Sequence, residues 1–171
     1  MPKYRILSLD GGGIKGIITA IILKRLSGEP GLEDWLSKAD LITGTSTGGL
    51  IALGLAKGLA LDEIIALYRN KGEEIFDDSW IDNVIDLGKI SGADYDITNL
   101  TKILRNIFGE TKLSELSRRV LITTFDLDNN ESSDSKRTWK PKLFHNFPGS
   151  DSDGEQPAYK VGLYTSAAPP P

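Results

Sequence analysis

Cysteine is absent from the 171 residues, which excludes a disulfide, a thiolate zinc site and a catalytic thiol within them. That usage suits a reducing cytoplasm. Histidine occurs once, at His145, so any chemistry built on imidazole has a single candidate. No run reaches the ~18 consecutive apolar residues that a membrane-spanning helix needs, and work on lipid would therefore be done from the water side. The apolar start is broken by Asp10, three glycines and Lys15 before a cleavable pattern develops, which argues against a secretory signal. Basic charge is not in surplus: 20 Lys and Arg stand against 24 Asp and Glu, for a net charge of −4. Nucleic acid normally selects a strongly basic face, so it is not an expected partner. Contact with an anionic membrane would depend on a local patch or on apolar side chains, and would be peripheral.

What is present is ordinary globular material, with 39% hydrophobic and 26% charged residues, enough to bury the core of a single domain over residues 1–171. Residues 4–9 read as a short buried strand ended by Asp10 and Gly11, Gly12 and Gly13. From Ile14 to Leu26 the apolar residues Ile14, Ile17, Ile18, Ile21, Ile22 and Leu26 fall at helical spacing. Asp40 to Thr43 is a second strand, followed by a helix from about Ser46 to Lys57. Helices are also expected over residues 61–68 and 98–108, the latter stopped by Gly109. Arg119 to Phe125 is a β-branched strand closed by Asp126, and residues 142–145 suit a further one. Residues 128–136 read as a solvated excursion and residues 146–156 as loop. Strands alternating with helices imply an α/β fold: three layers, a mostly parallel central sheet and helices on both faces. The run from Thr165 to Pro171 closes on three prolines, which can neither extend a helix nor join a central strand. That ending resembles a cut, and the domain is expected to be incomplete at its C-terminus.

Two motifs carry chemistry. Gly44-Thr45-Ser46-Thr47-Gly48 follows a strand and opens a helix, the pattern of a nucleophile elbow. The tight turn holds the serine in a strained conformation and exposes its hydroxyl at a helix N-terminus, where developing negative charge is favoured. Glycines belong two residues either side because larger side chains would collide with the neighbouring strand and helix. The second motif, Gly11, Gly12, Gly13, Ile14, Lys15 and Gly16, ends the first strand and opens the first helix. Consecutive backbone N–H groups there form an anion-binding nest.

The nest admits two readings. Gly11-x-Gly13-x-x-Gly16 formally matches a dinucleotide fingerprint, so a nucleotide-binding module is the rival class. Against it, Asp10 would set a carboxylate beside an anionic pyrophosphate, and the second strand does not end in the acidic residue that fingerprint wants. The other reading is an oxyanion hole in which the Gly12 and Gly13 amides hold the oxygen of a tetrahedral intermediate.

With both motifs in view, the chain resembles the patatin-like phospholipase family. The resemblance rests on residues 7–17 and on Asp40 to Gly49, with Tyr95-Asp96, Phe108-Gly109, Leu121-Ile122 to Asp126-Leu127 and Thr165 to Pro169 as further landmarks. It covers most of the chain, least so residues 128–156. The resemblance implies a lipid acyl hydrolase that cleaves fatty-acyl esters of phospholipids and related lipids. It needs no cofactor and no metal and uses a serine–aspartate dyad. Carried over, Ser46 is the nucleophile and Gly12 and Gly13 are the oxyanion donors. The dyad aspartate belongs to an Asp-Gly-Gly or Asp-Gly-Ala segment beyond residue 171. Asp153-Gly154 stands on the wrong side of Thr165 in chain order and reads as a turn.

A rival within the hydrolases remains. Ser46, Asp126 and His145 follow the chain order of an α/β-hydrolase triad, and Asp126 ends a strand. The glycine loop does not suit that fold, and 19 residues between acid and imidazole is a small connection. Trp35, Trp80 and Trp139 read as packing anchors; Trp80 with Ile75, Phe76 and Ile81 could instead form a lid that meets lipid.

Overall fold

The computed structural model describes residues 3–76, 90–126 and 140–167. In chain order the elements are β1 (Ile6–Leu9), a 3-10 turn (Gly13–Lys15), α1 (Gly16–Ser27), β2 (Leu41–Thr45), α2 (Thr47–Lys57), α3 (Leu61–Phe76), α4 (Ile90–Phe108), β3 (Arg119–Asp126), β4 (Lys140–His145) and α5 (Ala158–Ser166). Each expected element is there, but three run longer than their apolar patterns. Helix α3 continues eight residues past Tyr68, where the chain turns polar. Arg69, Asn70 and Lys71 are exposed there and need no buried stripe to remain helical. Helix α4 starts at Ile90, not near Thr98, and β4 at Lys140.

The helix ends follow local chemistry. Gly58 closes α2 at φ 99°, donating to the Gly54 and Leu55 carbonyls at 3.1 Å, a left-handed cap that glycine adopts without a Cβ penalty. Gly109 ends α4 in the same way, at φ 59°.

The sheet order is β1-β2-β3-β4. The first three strands are parallel and β4 runs antiparallel to β3, which gives the expected α/β architecture with a mostly parallel sheet. In register, Leu9 pairs with Gly44, Gly44 with Ile122 and Ile122 with Phe144. Strand side chains alternate, so Ile42 and Val120 share a face with Leu9 and Ile122; all four are buried. Helix α2 crosses β1, β2 and β3 and α5 lies on β3, with α1, α3 and α5 packed around α2 and α4 against α3 and α5. Helix α2 is apolar all round and buries nine of its 11 residues, the signature of a core helix. Its fully covered Ile51 and Leu53 are each worth about 1.5–3 kcal/mol of burial. On the opposite face Ile6 is 59% and Leu143 45% exposed. Trp35 is an anchor as expected, donating to Ser27 Oγ at 3.1 Å and packing on the core. Trp80, Ile81, Trp139 and residues 128–136 lie outside the described residues, as do the side chains of Ile75, Phe76, Tyr95 and Asp96.

Candidate active site

Strand β2 ends at Thr45 and α2 begins at Thr47, so Ser46 alone makes the turn between them. It adopts φ 52° and ψ −126° and is the one non-glycine residue with positive φ among the described residues. For a non-glycine residue that conformation costs about 1–3 kcal/mol, and it persists only where the surroundings enforce it. The enforcement is visible on both sides. A β-carbon at Gly44 would lie 2.4 Å from the Gly48 carbonyl carbon. One at Gly48 would lie 2.2 Å from the Leu9 oxygen and 2.6 Å from the Asp10 oxygen. The backbones of β1, β2 and α2 therefore meet at contact distances that only glycine permits, as the spacing of the motif anticipates.

The glycine loop closes on the same point from β1. A β-carbon at Gly11 would stand 3.2 Å from both Ser46 Cβ and the Thr45 oxygen. Gly13 has φ 55°, and Lys15 N–H donates to the Gly12 carbonyl at 3.1 Å to start the 3-10 turn. Among the described residues the Gly12 and Gly13 amides donate to no protein acceptor. Gly11, Gly12, Ile14 and Lys15 are exposed and Gly16 is buried. The burial of Gly16 has a cause: a β-carbon there would lie 2.2 Å from Thr47 Oγ1 and 2.8 Å from the Tyr68 hydroxyl. Those two hydroxyls are hydrogen-bonded to each other in the core. Burial pushes the Tyr68 phenol up to about 12, and the Thr47 hydrogen bond offsets part of the rise. Loop, elbow and α3 are thus locked together behind Ser46.

The triad alternative is corrected by the register of β3 and β4. Asp126 pairs with Lys140, whereas His145 pairs with Leu121. Five strand residues therefore separate carboxylate from imidazole along the sheet, roughly 17 Å. His145 has other neighbours: its Nδ1 accepts from Phe147 N–H at 3.3 Å, and its ring stacks on Phe147 at 4.7 Å. Its Nε2 lies 3.8 Å from Asp151. Antiparallel pairing reverses the order that chain sequence suggests, which is why a correct residue order did not become a correct site. Asp153 is a structural carboxylate, bonded to Lys142 Nζ at 2.6 Å and accepting from His145 N–H at 3.2 Å. It braces the loop after β4, in keeping with its reading as a turn residue. The dinucleotide alternative finds no support either, since β2 ends in Thr45 without an acidic residue and Gly11 is pressed against the elbow.

One participant had no assigned role in the sequence. Ser46 N–H donates to Thr165 Oγ1 at 2.8 Å, and Thr165 Oγ1 donates to the Thr123 carbonyl at 2.7 Å. Thr165 comes from α5, 119 residues away from Ser46. No local spacing links them; its place in a recognised landmark was the one available signal.

Fold and site together define an α/β protein with a strained strand-to-helix turn at Ser46 facing a glycine-rich loop. The family model described as patatin-like phospholipase matches residues 7–170. The chain belongs to the patatin-like phospholipase family. It is 34% identical to a cGAMP-activated phospholipase of Escherichia coli, over 98% of this chain and 47% of that protein. It is 32% identical to Patatin-17 of Solanum cardiophyllum, over 96% of this chain and 42% of that protein. Among solved structures it is similar in fold to the type III effector protein ExoU, with a TM-score of 0.53 and 15% identity over 96% of this chain and 40% of the other. The chain thus spans about half the length of the curated relatives it matches. No helix among the described residues is long and apolar enough to cross a membrane.

Proposed function

We propose that this protein is a lipid acyl hydrolase in which Ser46 attacks the carbonyl carbon of a fatty-acyl ester. The observation that carries the reading is the strained Ser46 turn pressed against the glycine loop, in a chain of this family. Attack forms the bond from Ser46 Oγ to the acyl carbon and pushes the carbonyl electrons onto oxygen. The Gly12 and Gly13 amides receive that oxyanion, with the N-terminus of α2 adding a favourable dipole. Collapse breaks the ester bond: the alcohol leaves with a proton and the acyl group stays on Ser46. Water then hydrolyses the acyl-enzyme. In this reading the proton moves through the carboxylate of a serine–aspartate dyad. The substrate is a phospholipid or related lipid ester met at a membrane surface, and the site is cytoplasmic.

A fluorophosphonate probe reacts with an activated serine and stays bound, so mass mapping of the complete gene product should place the adduct on Ser46. An adduct at any other residue would overturn the assignment. His145→Ala separates a dyad from a triad. It is expected to leave kcat/KM within about threefold of the parent, because His145 is engaged with Phe147 and Asp151 away from Asp126. Loss of the order seen when a triad histidine is removed, about three orders of magnitude or more, would return the imidazole to the mechanism.

A further inference from the structure

A serine in an elbow needs its backbone held as well as its hydroxyl exposed, and here the holding is done from α5. Thr165 is 5% exposed, and its hydroxyl stands between the nucleophile's own amide, at 2.8 Å, and the Thr123 carbonyl, at 2.7 Å. A hydroxyl has one proton and two lone pairs, so it can accept from an amide and donate to a carbonyl at once. Thr123 pairs in register with Thr45, and their hydroxyls bond each other. Residues 45 and 46 are therefore both moored to one residue of β3, the first directly and the second through Thr165. Gly49 makes the approach possible. A β-carbon there would lie 3.0 Å from Thr165 Cγ2, 3.1 Å from its Oγ1 and 3.2 Å from Ile122 Cγ2.

We infer that Thr165 is the positioning residue of the nucleophile elbow: its hydroxyl relays Ser46 N–H to the Thr123 carbonyl and so holds Ser46 at its positive φ, with Oγ aimed at the acyl carbon. This rests on the acyl-hydrolase reading. The relay also commits the Ser46 amide, so that amide is not an oxyanion donor. Valine matches threonine in shape but can neither accept nor donate. Serine keeps the hydroxyl and loses only the methyl.

The test uses the complete gene product and a soluble ester, p-nitrophenyl butyrate, with Thr165→Val, Thr165→Ser and Gly49→Ala. Thr165→Val should lower kcat about 10–100-fold, the scale of a small misplacement of a reacting group, with KM within twofold of the parent. Thr165→Ser should stay within about threefold of the parent in kcat. Gly49→Ala should lower kcat by displacing the same hydroxyl, and Gly49→Ala with Thr165→Val should be no slower than Thr165→Val alone, because both break one bond. The first-order rate of fluorophosphonate labelling at saturating probe should fall in parallel. That rate belongs to folded molecules, so unfolding would reduce labelling amplitude and not the constant. Parent-like kcat in Thr165→Val, or Thr165→Ser as slow as Thr165→Val, would overturn the relay. If Thr165→Val does not fold, Gly49→Ala decides, and parent-like kcat there is equally fatal. With the adduct on Ser46 and these rates unchanged, the relay fails alone. With the adduct elsewhere, relay and hydrolase reading fall together.

Discussion

Ser46→Ala is expected to lower ester hydrolysis by the complete gene product by about four to six orders of magnitude, and to abolish fluorophosphonate labelling. The size follows from what one atom does. Without Oγ there is no acyl-enzyme, and the site retains only substrate binding and the oxyanion donors, which supply a residual ~10³–10⁴ over water in serine hydrolases. Removing the nucleophile leaves the scaffold intact, so the fold should not suffer. Alanine occupies less space than serine, and the strained φ of 52° costs alanine no less. The thermal midpoint should therefore stay within a few degrees of the parent while turnover vanishes. Residual turnover above one part in a hundred would show that another group carries the chemistry.

Gly48→Ala is expected to fail in a different way, by destroying the site and the fold together. The new β-carbon would stand 2.2 Å from the Leu9 oxygen and 2.6 Å from the Asp10 oxygen. Those atoms are backbone at the end of β1, with no side-chain rotation available to relieve the clash. Either α2 lifts off the sheet or β1 shifts in its register with β2. Moving α2 disturbs a helix that buries nine of 11 residues, and overpacking a core costs about 1–3 kcal/mol, occasionally more. Moving β1 carries Gly11 away from Ser46, against which it now sits. Denaturant unfolding should show a markedly lowered midpoint, and whatever folded protein survives should label slowly. Ala tolerated at this position, in stability and in labelling rate, would mean that the three backbones do not meet as described. Gly58→Ala is the control, since a β-carbon there meets nothing within 4 Å and carries only the strain of its positive φ.

The two motifs were legible because their requirements are local. A turn from strand to helix within one residue restricts what can stand two positions either side, so Gly44 and Gly48 announce a close approach by residue type and spacing alone. The β-branched run at β3 and the helical spacing along α1 and α2 were readable for a similar reason: alternation and 3.6-residue repetition are written in consecutive side chains. The continuation of α3 past Tyr68 and the start of α4 at Ile90 were not, because apolar spacing marks that a helix exists better than where it begins or ends.

Sequence alone determined the α/β class and the family, and it marked the strand-to-helix turn at Ser46 and the glycine loop after the first strand. All of these depend on residue types within a few positions of each other. Tertiary structure alone decided which distant residues serve that site. Antiparallel pairing of β4 with β3 sets Asp126 opposite Lys140 and His145 opposite Leu121, which takes a plausible triad apart. The return of α5 across the sheet sets Thr165 beneath Ser46, 119 residues from it in the chain. Hydrogen bonds act over about 3 Å, and chain order carries no information on that scale until strand register and helix packing have brought the ends together.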